Sequence, residues 1–214
     1  MGTMEIVVMA IFGLLVVGAL VSSIRQGAQM RKRVANYAAL HGWSVSRLGD
    51  ARLDALLEEL APEEKWGPND VMQVERPPES VYLFAYNVSA KKGRSSPSTG
   101  NACLAEHTGR VHQCPVAIFT RTPGVDKLVG NRVEAGGKEF RDKFTVTCAR
   151  PEVALTAVNA EVERILLEHA AGPGWYLSAA IAGRSVLVSS RWAETEQDWD
   201  YLIALARKLR AAVR

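Results

Sequence analysis

A metal site could be formed by two cysteines and two histidines that lie close together, namely Cys103, His107, His112 and Cys114. Thiolate and imidazole groups are preferred zinc ligands, and four of them suffice for a tetrahedral structural site. The spacing Cys-x3-His-x4-His-x-Cys, however, lacks the Cys-x2-Cys knuckle that is typical of zinc-binding modules. The alternative is that the histidines lie in a loop and the thiols pack as small apolar groups. We therefore predict that these four residues hold no metal.

Other patterns typical of catalysis or cofactor binding are missing from the sequence. It contains no Gly-x-Ser-x-Gly nucleophile elbow. Cys114 lies near His112, but neighbours along one strand do not form the hydrogen bond that activates a nucleophile. Gly136-Gly137-Lys138 is too short for the phosphate-binding loop Gly-x4-Gly-Lys-Ser/Thr. The sequence favours a non-catalytic protein without a cofactor over an enzyme.

Trp66 is the residue that the sequence offers for contact with a partner. It lies in Lys-Trp-Gly-Pro, within the Pro-rich residues 61–80, which predict an irregular connection. An exposed tryptophan is a common anchor at protein interfaces. The alternative is that this side chain covers the core from outside. A second candidate contact is the loop predicted over residues 91–101, which carries basic side chains among Ser, Pro and Gly.

The elements that must position these residues begin with an apolar run. Residues 6–24 form 19 consecutive uncharged residues before Arg25. As a helix this run would be ~28 Å long, close to the ~30 Å hydrocarbon core of a bilayer. A signal peptide would need a positive n-region and a small-x-small cleavage site, and a buried core helix would have a polar face. Residues 1–24 are therefore predicted to be a transmembrane helix.

Charges beside this run predict its orientation. Arg25, Arg31, Lys32 and Arg33 follow it, in a predicted basic juxtamembrane helix over residues 25–41 that could rest on anionic headgroups. By the positive-inside rule, the remainder of the chain lies in the cytoplasm. The odd number of cysteines, 3, argues against a disulfide framework and agrees with a reducing compartment. The expected localisation is the cell membrane, single-pass, with a cytoplasmic C-terminal domain.

Composition places the rest of the chain among ordinary globular domains. Hydrophobic residues make up 48% of the 214 residues and charged residues 23%, which excludes a disordered or collagen-like chain. The net charge of +3 is too small to indicate nucleic acid as a partner. We expect the lipid bilayer and other membrane proteins as partners instead.

Strand patterns predict the sheet of an α+β domain over residues 42–214. Residues 81–90 are apolar on both faces, which is typical of a central strand. Further strands are predicted over residues 110–120 and 142–149, followed by a hairpin with its turn at Ala182-Gly183. Because these strands occur in hairpin-like groups, we expect a mostly antiparallel sheet.

Two or three helices are predicted to pack against this sheet. Asp50 is the expected N-cap of a short helix that carries four leucines. Pro151 opens one long helix, whose core-facing stripe begins at Leu155. Thr195 and Asp198 form a capping-box pattern before the final amphipathic helix.

A short motif gives the chain its resemblance to a known family. Residues 139–146 read Glu-Phe-Arg-Asp-Lys-Phe-Thr-Val and match the pattern Glu-Phe-x-x-x-Phe-x-Val. In this motif, and in its layout over residues 80–214, the chain resembles a domain of unknown function in mostly actinobacterial single-pass membrane proteins. The resemblance implies one N-terminal membrane helix and an α+β domain that ends in a hairpin and an amphipathic helix. It implies no chemistry, because the family has no settled activity.

These observations together predict a membrane-anchored accessory subunit of a membrane protein assembly, which binds other proteins and catalyses nothing. The alternative is a membrane-tethered, metal-dependent enzyme that uses the Cys and His residues between positions 103 and 114.

Overall fold

The computed structural model describes residues 28–91, 98–109, 111–122, 130–171 and 176–213. The predicted transmembrane helix over residues 1–24, together with Arg25, lies outside these ranges. Among the residues that are described, no helix is both long and apolar enough to cross a bilayer. The chain divides into two compact units, Met1–Trp43 and Ser44–Arg214.

In the first unit, residues 28–41 form helix α1, within the range predicted for a basic helix. Arg31, Lys32 and Arg33 lie on it, and all three are exposed to solvent. Gly42 follows with a φ of +69°, a left-handed conformation that glycine adopts without strain and that commonly ends helices.

The second unit is built on one antiparallel sheet. Its strands are β1 (Ser44–Leu48), β2 (Glu64–Glu75), β3 (Val81–Ala90), β4 (Ser98–Glu106), β5 (His112–Thr120), β6 (Arg132–Val133), β7 (Phe144–Thr147), β8 (Ser178–Gly183) and β9 (Ser185–Ser190). Across the described part of the chain their order is β1-β2-β3-β4-β9-β8-β5-β7-β6. Each of these pairs is antiparallel, which confirms the predicted α+β class.

The helices of this unit are α2 (Ala51–Leu60), α3 (Lys138–Lys143), α4 (Pro151–Ala157), α5 (Ala160–Ala171) and α6 (Glu196–Ala212). Two of them begin at the side-chain caps that the sequence predicts. The Asp50 side chain accepts a hydrogen bond from the Leu53 backbone N–H at 2.8 Å. Thr195 and Asp198 form a reciprocal capping box before α6. Both predicted caps are confirmed.

Helices α2 and α6 cover different faces of the sheet. The leucines of α2 pack against Tyr82, Phe84 and Tyr86 of β3 in one hydrophobic cluster. The alternate residues Val81 and Leu83 are buried on the other face, where α6 packs on β3, β4 and β9. Because β3 lies between two strands and has a helix on each side, both of its faces are apolar, as predicted.

The long helix predicted from Pro151 is instead two helices, α4 and α5. Asn159 lies at the break, where its Oδ1 accepts from the backbone N–H groups of Glu161 and Val162 at 3.0 and 2.9 Å. The break changes the helical phase, so Leu155 is 57% exposed and does not belong to the core stripe. The prediction of one continuous helix was wrong because the Asn159 side chain caps a new helix at this point, although the apolar residues on both sides keep a helical spacing.

Two stretches predicted to be irregular contain strands. Pro68 lies inside β2, but β1 pairs with β2 only from Asn69 onward, so the missing N–H of Pro68 breaks no bond to β1. Gly100 lies inside β4, where a Cβ atom would approach the Ser190 carbonyl oxygen to 2.4 Å. In the sequence Gly100 indicates a loop, but in the structure a glycine is required there because the neighbouring strand lies so close. Residues 92–97 of the predicted basic loop lie outside the described ranges.

Candidate functional site

A cavity of about 420 Å³ lies on the face of the sheet that carries α2. Four aromatic side chains line it, namely Trp66, Tyr86, Phe119 and Tyr176. Tyr86 also belongs to the core beneath α2, and Trp66 packs against that core. Trp66 thus forms part of a cavity wall on strand β2, and the prediction that it lies in a loop was wrong. We call this site the Trp66 cavity.

Strand register explains how distant residues meet there. Trp66 on β2 lies opposite Val88 on β3. Phe119, Ser178 and Ser189 lie opposite one another across β5, β8 and β9. Strands β2 and β5 are five positions apart in the sheet order, which in a flat sheet would be ~24 Å. Because both strands line one small cavity, the sheet must curl strongly at this end.

Trp66 and Tyr86 form the aromatic centre of the cavity. Their ring centroids are 5.1 Å apart and the planes are tilted by 54°. Burial raises the pKa of the Tyr86 hydroxyl, an effect that the hydroxyls of Ser189 and Ser98 partly oppose by hydrogen bonding. The Trp66 Nε1 atom is buried and makes no hydrogen bond of good geometry, but its N–H acts on the Glu64 carboxylate and lowers the pKa of that group. The cavity therefore places an indole N–H and a carboxylate beside a set of hydroxyl groups.

Charged side chains of both signs border the cavity. Desolvation raises the pKa of the Glu64 carboxyl, and the nearby Trp66 indole lowers it in part. The positive charge of Arg191 lowers the pKa of the hydroxyls of both Tyr86 and Tyr176, against the larger raising effect of burial. The cavity thus combines an apolar lining with one acidic side chain, Glu64, and one basic side chain, Arg191, at its edge.

The four predicted metal-ligand candidates are distributed over different places. Cys103 is fully buried on β4, and burial raises the pKa of its thiol. The rings of His107 and His112 approach each other, with centroids 6.0 Å apart. Cys114 instead contacts Cys148, with the sulfur atoms 3.4 Å apart.

Other contacts of the two histidines also point away from a metal centre. His107 Nδ1 accepts a hydrogen bond from the Gly109 backbone N–H at 3.2 Å. His112 Nε2 lies 3.3 Å from the Val213 carbonyl oxygen at the end of α6. In the ranges that the structure describes, no three His, Cys, Asp or Glu side chains form a group that could hold a metal ion.

Sequence reasoning selected Trp66 but missed the residues that surround it. Tyr86 follows Tyr82 and Phe84 on alternate positions of β3, so its face was predictable but its place beside a cavity was not. Phe119 and Tyr176 come from the opposite side of the curled sheet. Only the strand order brings them to Trp66, and no local sequence signal encodes that order.

No protein-family model and no curated protein matches the chain. Among solved structures, the crystal structure of the mycobacterial trehalose monomycolate transport factor A, TtfA, is similar to it. The TM-score is 0.56 at 12% sequence identity, and the match covers 86% of this chain and 94% of TtfA. At this identity the similarity shows a shared fold.

Proposed function

We propose that the protein is a membrane-anchored, non-catalytic accessory factor of a membrane protein assembly, and that its folded unit acts by binding a ligand in the Trp66 cavity. The observation that carries the proposal is the convergence of four aromatic side chains on one cavity. Small-molecule sites are typically concave, largely apolar and equipped with a few polar groups. The Trp66 cavity has each of these properties.

Sequence features support the membrane part of the proposal. The uncharged run over residues 6–24 has the length of a bilayer span. Arg31, Lys32 and Arg33 are exposed on α1, where they can meet anionic headgroups. We propose a single-pass topology, as in the actinobacterial family that the motif at residues 139–146 resembles, with the folded domain in the cytoplasm by the positive-inside rule.

The similar fold of TtfA is consistent with an accessory role. That protein is a mycobacterial trehalose monomycolate transport factor. We propose that this chain likewise assists a transport process at the membrane, with other membrane proteins as partners.

The geometry gives less support to a metal-dependent enzyme. Such an enzyme would need Cys103, His107, His112 and Cys114 to converge on one ion. The structure places Cys114 against Cys148 and the two histidines against each other, with Cys103 fully buried on β4. The described side chains therefore favour binding over metal catalysis.

Membrane fractionation and affinity purification of the full-length chain test the proposal. The chain, tagged at its C-terminus, should remain in membranes after carbonate washing and should co-purify with membrane proteins in mild detergent. A variant that lacks residues 1–24 should move to the soluble fraction and lose these partners. Release of the full-length chain by carbonate, or recovery of no protein beyond a tag-only control, would contradict the proposal.

A further inference from the structure

We infer that the ligand of the Trp66 cavity is a neutral polyhydroxylated group, a mono- or disaccharide unit that is either free or the headgroup of a glycolipid. This inference rests on the proposed binding function and names its ligand class. The volume of about 420 Å³ lies within the ~300–1,000 Å³ that is usual for small-molecule sites.

The aromatic walls suit the faces of a sugar ring. A pyranose has apolar C–H faces and a rim of hydroxyl groups. The rings of Trp66 and Tyr86, with those of Phe119 and Tyr176, offer apolar surface for such a face. Tyrosine also carries a polar group at the ring edge, which can reach the hydroxyl rim of the same ligand. A purely apolar ligand would remove the polar groups of the cavity from water without offering them hydrogen bonds, at a cost in free energy.

The polar atoms of the cavity match hydroxyl groups. Ser98, Ser178 and Ser189 also line the cavity, and serine hydroxyls both donate and accept hydrogen bonds. Sugar hydroxyls have the same dual capacity, so the two sets can pair in either direction. The Trp66 Nε1–H can only donate, and it acts on the Glu64 carboxylate, whose pKa it lowers.

The balance of charge favours a neutral ligand. Glu64 and Arg191 both line the cavity. A cationic ligand would be attracted by the aromatic rings and Glu64 but repelled by Arg191. An anionic ligand would be attracted by Arg191 but repelled by Glu64 and by the faces of the aromatic rings. A neutral hydroxylated ligand is repelled by neither, and it can accept from the guanidinium and donate to the carboxylate.

Calorimetric titration of the full-length chain with soluble probes tests the ligand class. The chain is held in a polyoxyethylene detergent, because a detergent with a sugar headgroup would itself compete for the site. The probes are neutral mono- and disaccharides, with choline as the cationic and glucose 6-phosphate as the anionic comparison. We expect saturable binding of at least one neutral sugar and weaker binding of both charged probes. Failure of every neutral sugar to bind, or stronger binding of choline, would overturn the inference.

Matched variants locate the binding. Trp66→Phe removes the indole N–H but keeps an aromatic ring, and Tyr86→Phe removes one hydroxyl, so each should weaken sugar binding by about three- to tenfold. Tyr201→Phe removes a hydroxyl that hydrogen-bonds His169 instead, and Trp43→Phe changes a ring that contacts Tyr37 and His41. These two control variants should retain the affinity of the parent chain. An equal loss in the control variants, or unchanged affinity in the cavity variants, would contradict the assignment, and thermal melting of each variant excludes unfolding as the cause.

Vesicles distinguish the two sources of the sugar. Neutral phosphatidylcholine vesicles are prepared with and without a glycosyl diacylglycerol. Binding is followed by co-flotation of the variant that lacks residues 1–24, after cooperative thermal melting has shown that this variant is folded. Flotation with the glycolipid vesicles alone, abolished by excess free sugar, indicates a headgroup; binding of free sugar without flotation indicates a soluble ligand. Both results support the ligand class. If neither occurs while the full-length chain still co-purifies with membrane proteins, the ligand class fails and the accessory role stands.

Discussion

The sulfur atoms of Cys114 and Cys148 lie 3.4 Å apart, one on strand β5 and the other just after β7. The antiparallel pairing of these two strands brings the thiols together. Both are buried, and burial raises the pKa of the Cys148 thiol, which a hydrogen bond from the Arg150 backbone N–H partly opposes. Cys114 therefore contacts Cys148 and does not join His107 and His112, which lie near it in the sequence.

Oxidation should therefore join Cys114 to Cys148. Diamide accepts the two electrons and two protons that a pair of thiols loses when a disulfide forms, and proximity determines which pair reacts. We expect one intrachain disulfide between these residues, with Cys103 still reduced. Peptide mapping by mass spectrometry under non-reducing conditions would show it. A linked peptide that contains Cys103 would contradict the observed placement, and Cys114→Ser should abolish the cross-link.

Metal analysis tests the Cys and His residues more directly. The purified full-length chain, prepared without chelator, should contain substoichiometric zinc by atomic emission, because its described Cys and His side chains form no group with metal-site geometry. Cys103→Ser should leave the metal content unchanged. One zinc per chain, lost in Cys103→Ser or Cys114→Ser, would instead support the metal-dependent alternative.

An ion pair at the end of β4 should contribute measurably to stability. Arg52 donates to both carboxylate oxygens of Glu106, at 3.0 and 3.1 Å, and Glu106 is only 7% exposed. Arg52→Ala would leave a buried carboxylate without its partner, so we expect a loss of about 1–3 kcal/mol in the free energy of unfolding. Urea denaturation measures it. Arg164→Ala is the control, since the ion pairs of Arg164 are exposed and screened by solvent, so this substitution should cost clearly less stability than Arg52→Ala.

Phe144 tests the packing behind the sequence motif. It is 2% exposed, and its ring stacks on that of Phe140 at a centroid distance of 5.0 Å. Both phenylalanines of the Glu-Phe-x-x-x-Phe-x-Val motif are therefore core residues. Phe144→Ala should cost ~3–5 kcal/mol of stability. The exposed Leu155 provides the comparison, since Leu155→Ala should change stability by less than ~0.5 kcal/mol. A loss below ~1 kcal/mol for Phe144→Ala would show that the ring is not buried.

Local signals predicted the fold wherever local physics decides it. The caps at Asp50 and Thr195 were predictable because each needs only a side-chain oxygen and one nearby backbone N–H. The hairpin between β8 and β9 was also predictable, but its turn is Gly183-Arg184 and not Ala182-Gly183, because Ala182 pairs with Ser185 and the φ of +53° at Gly183 opens the turn. The prediction that Leu155 belongs to the core stripe was wrong, because Asn159, four residues later, caps a new helix and so changes the helical phase.

Non-local packing explains what the sequence concealed. Strand β4 begins with Ser98 and Gly100, which read as loop residues, but the glycine is needed to let the strand approach Ser190. The Trp66 cavity depends on the order of six strands and on the curl of the sheet. Trp66 itself was a candidate from the sequence, although it lies on strand β2 and not in the predicted loop, but its neighbours Phe119 and Tyr176 could be found only in three dimensions.

Cysteine accessibility on intact cells tests the predicted orientation of the membrane span. Two variants place a new thiol on either side of residues 6–24: Thr3→Cys before the run, and Leu155→Cys at a position that is 57% exposed in the folded unit. The native cysteines are buried, so the parent chain should label weakly. Because the basic residues after the run should stay in the cytoplasm, an impermeant maleimide should label Thr3→Cys on intact cells and Leu155→Cys only after lysis. Labelling of Leu155→Cys on intact cells would show that the orientation is the opposite of the predicted one, with the Trp66 cavity outside the cell.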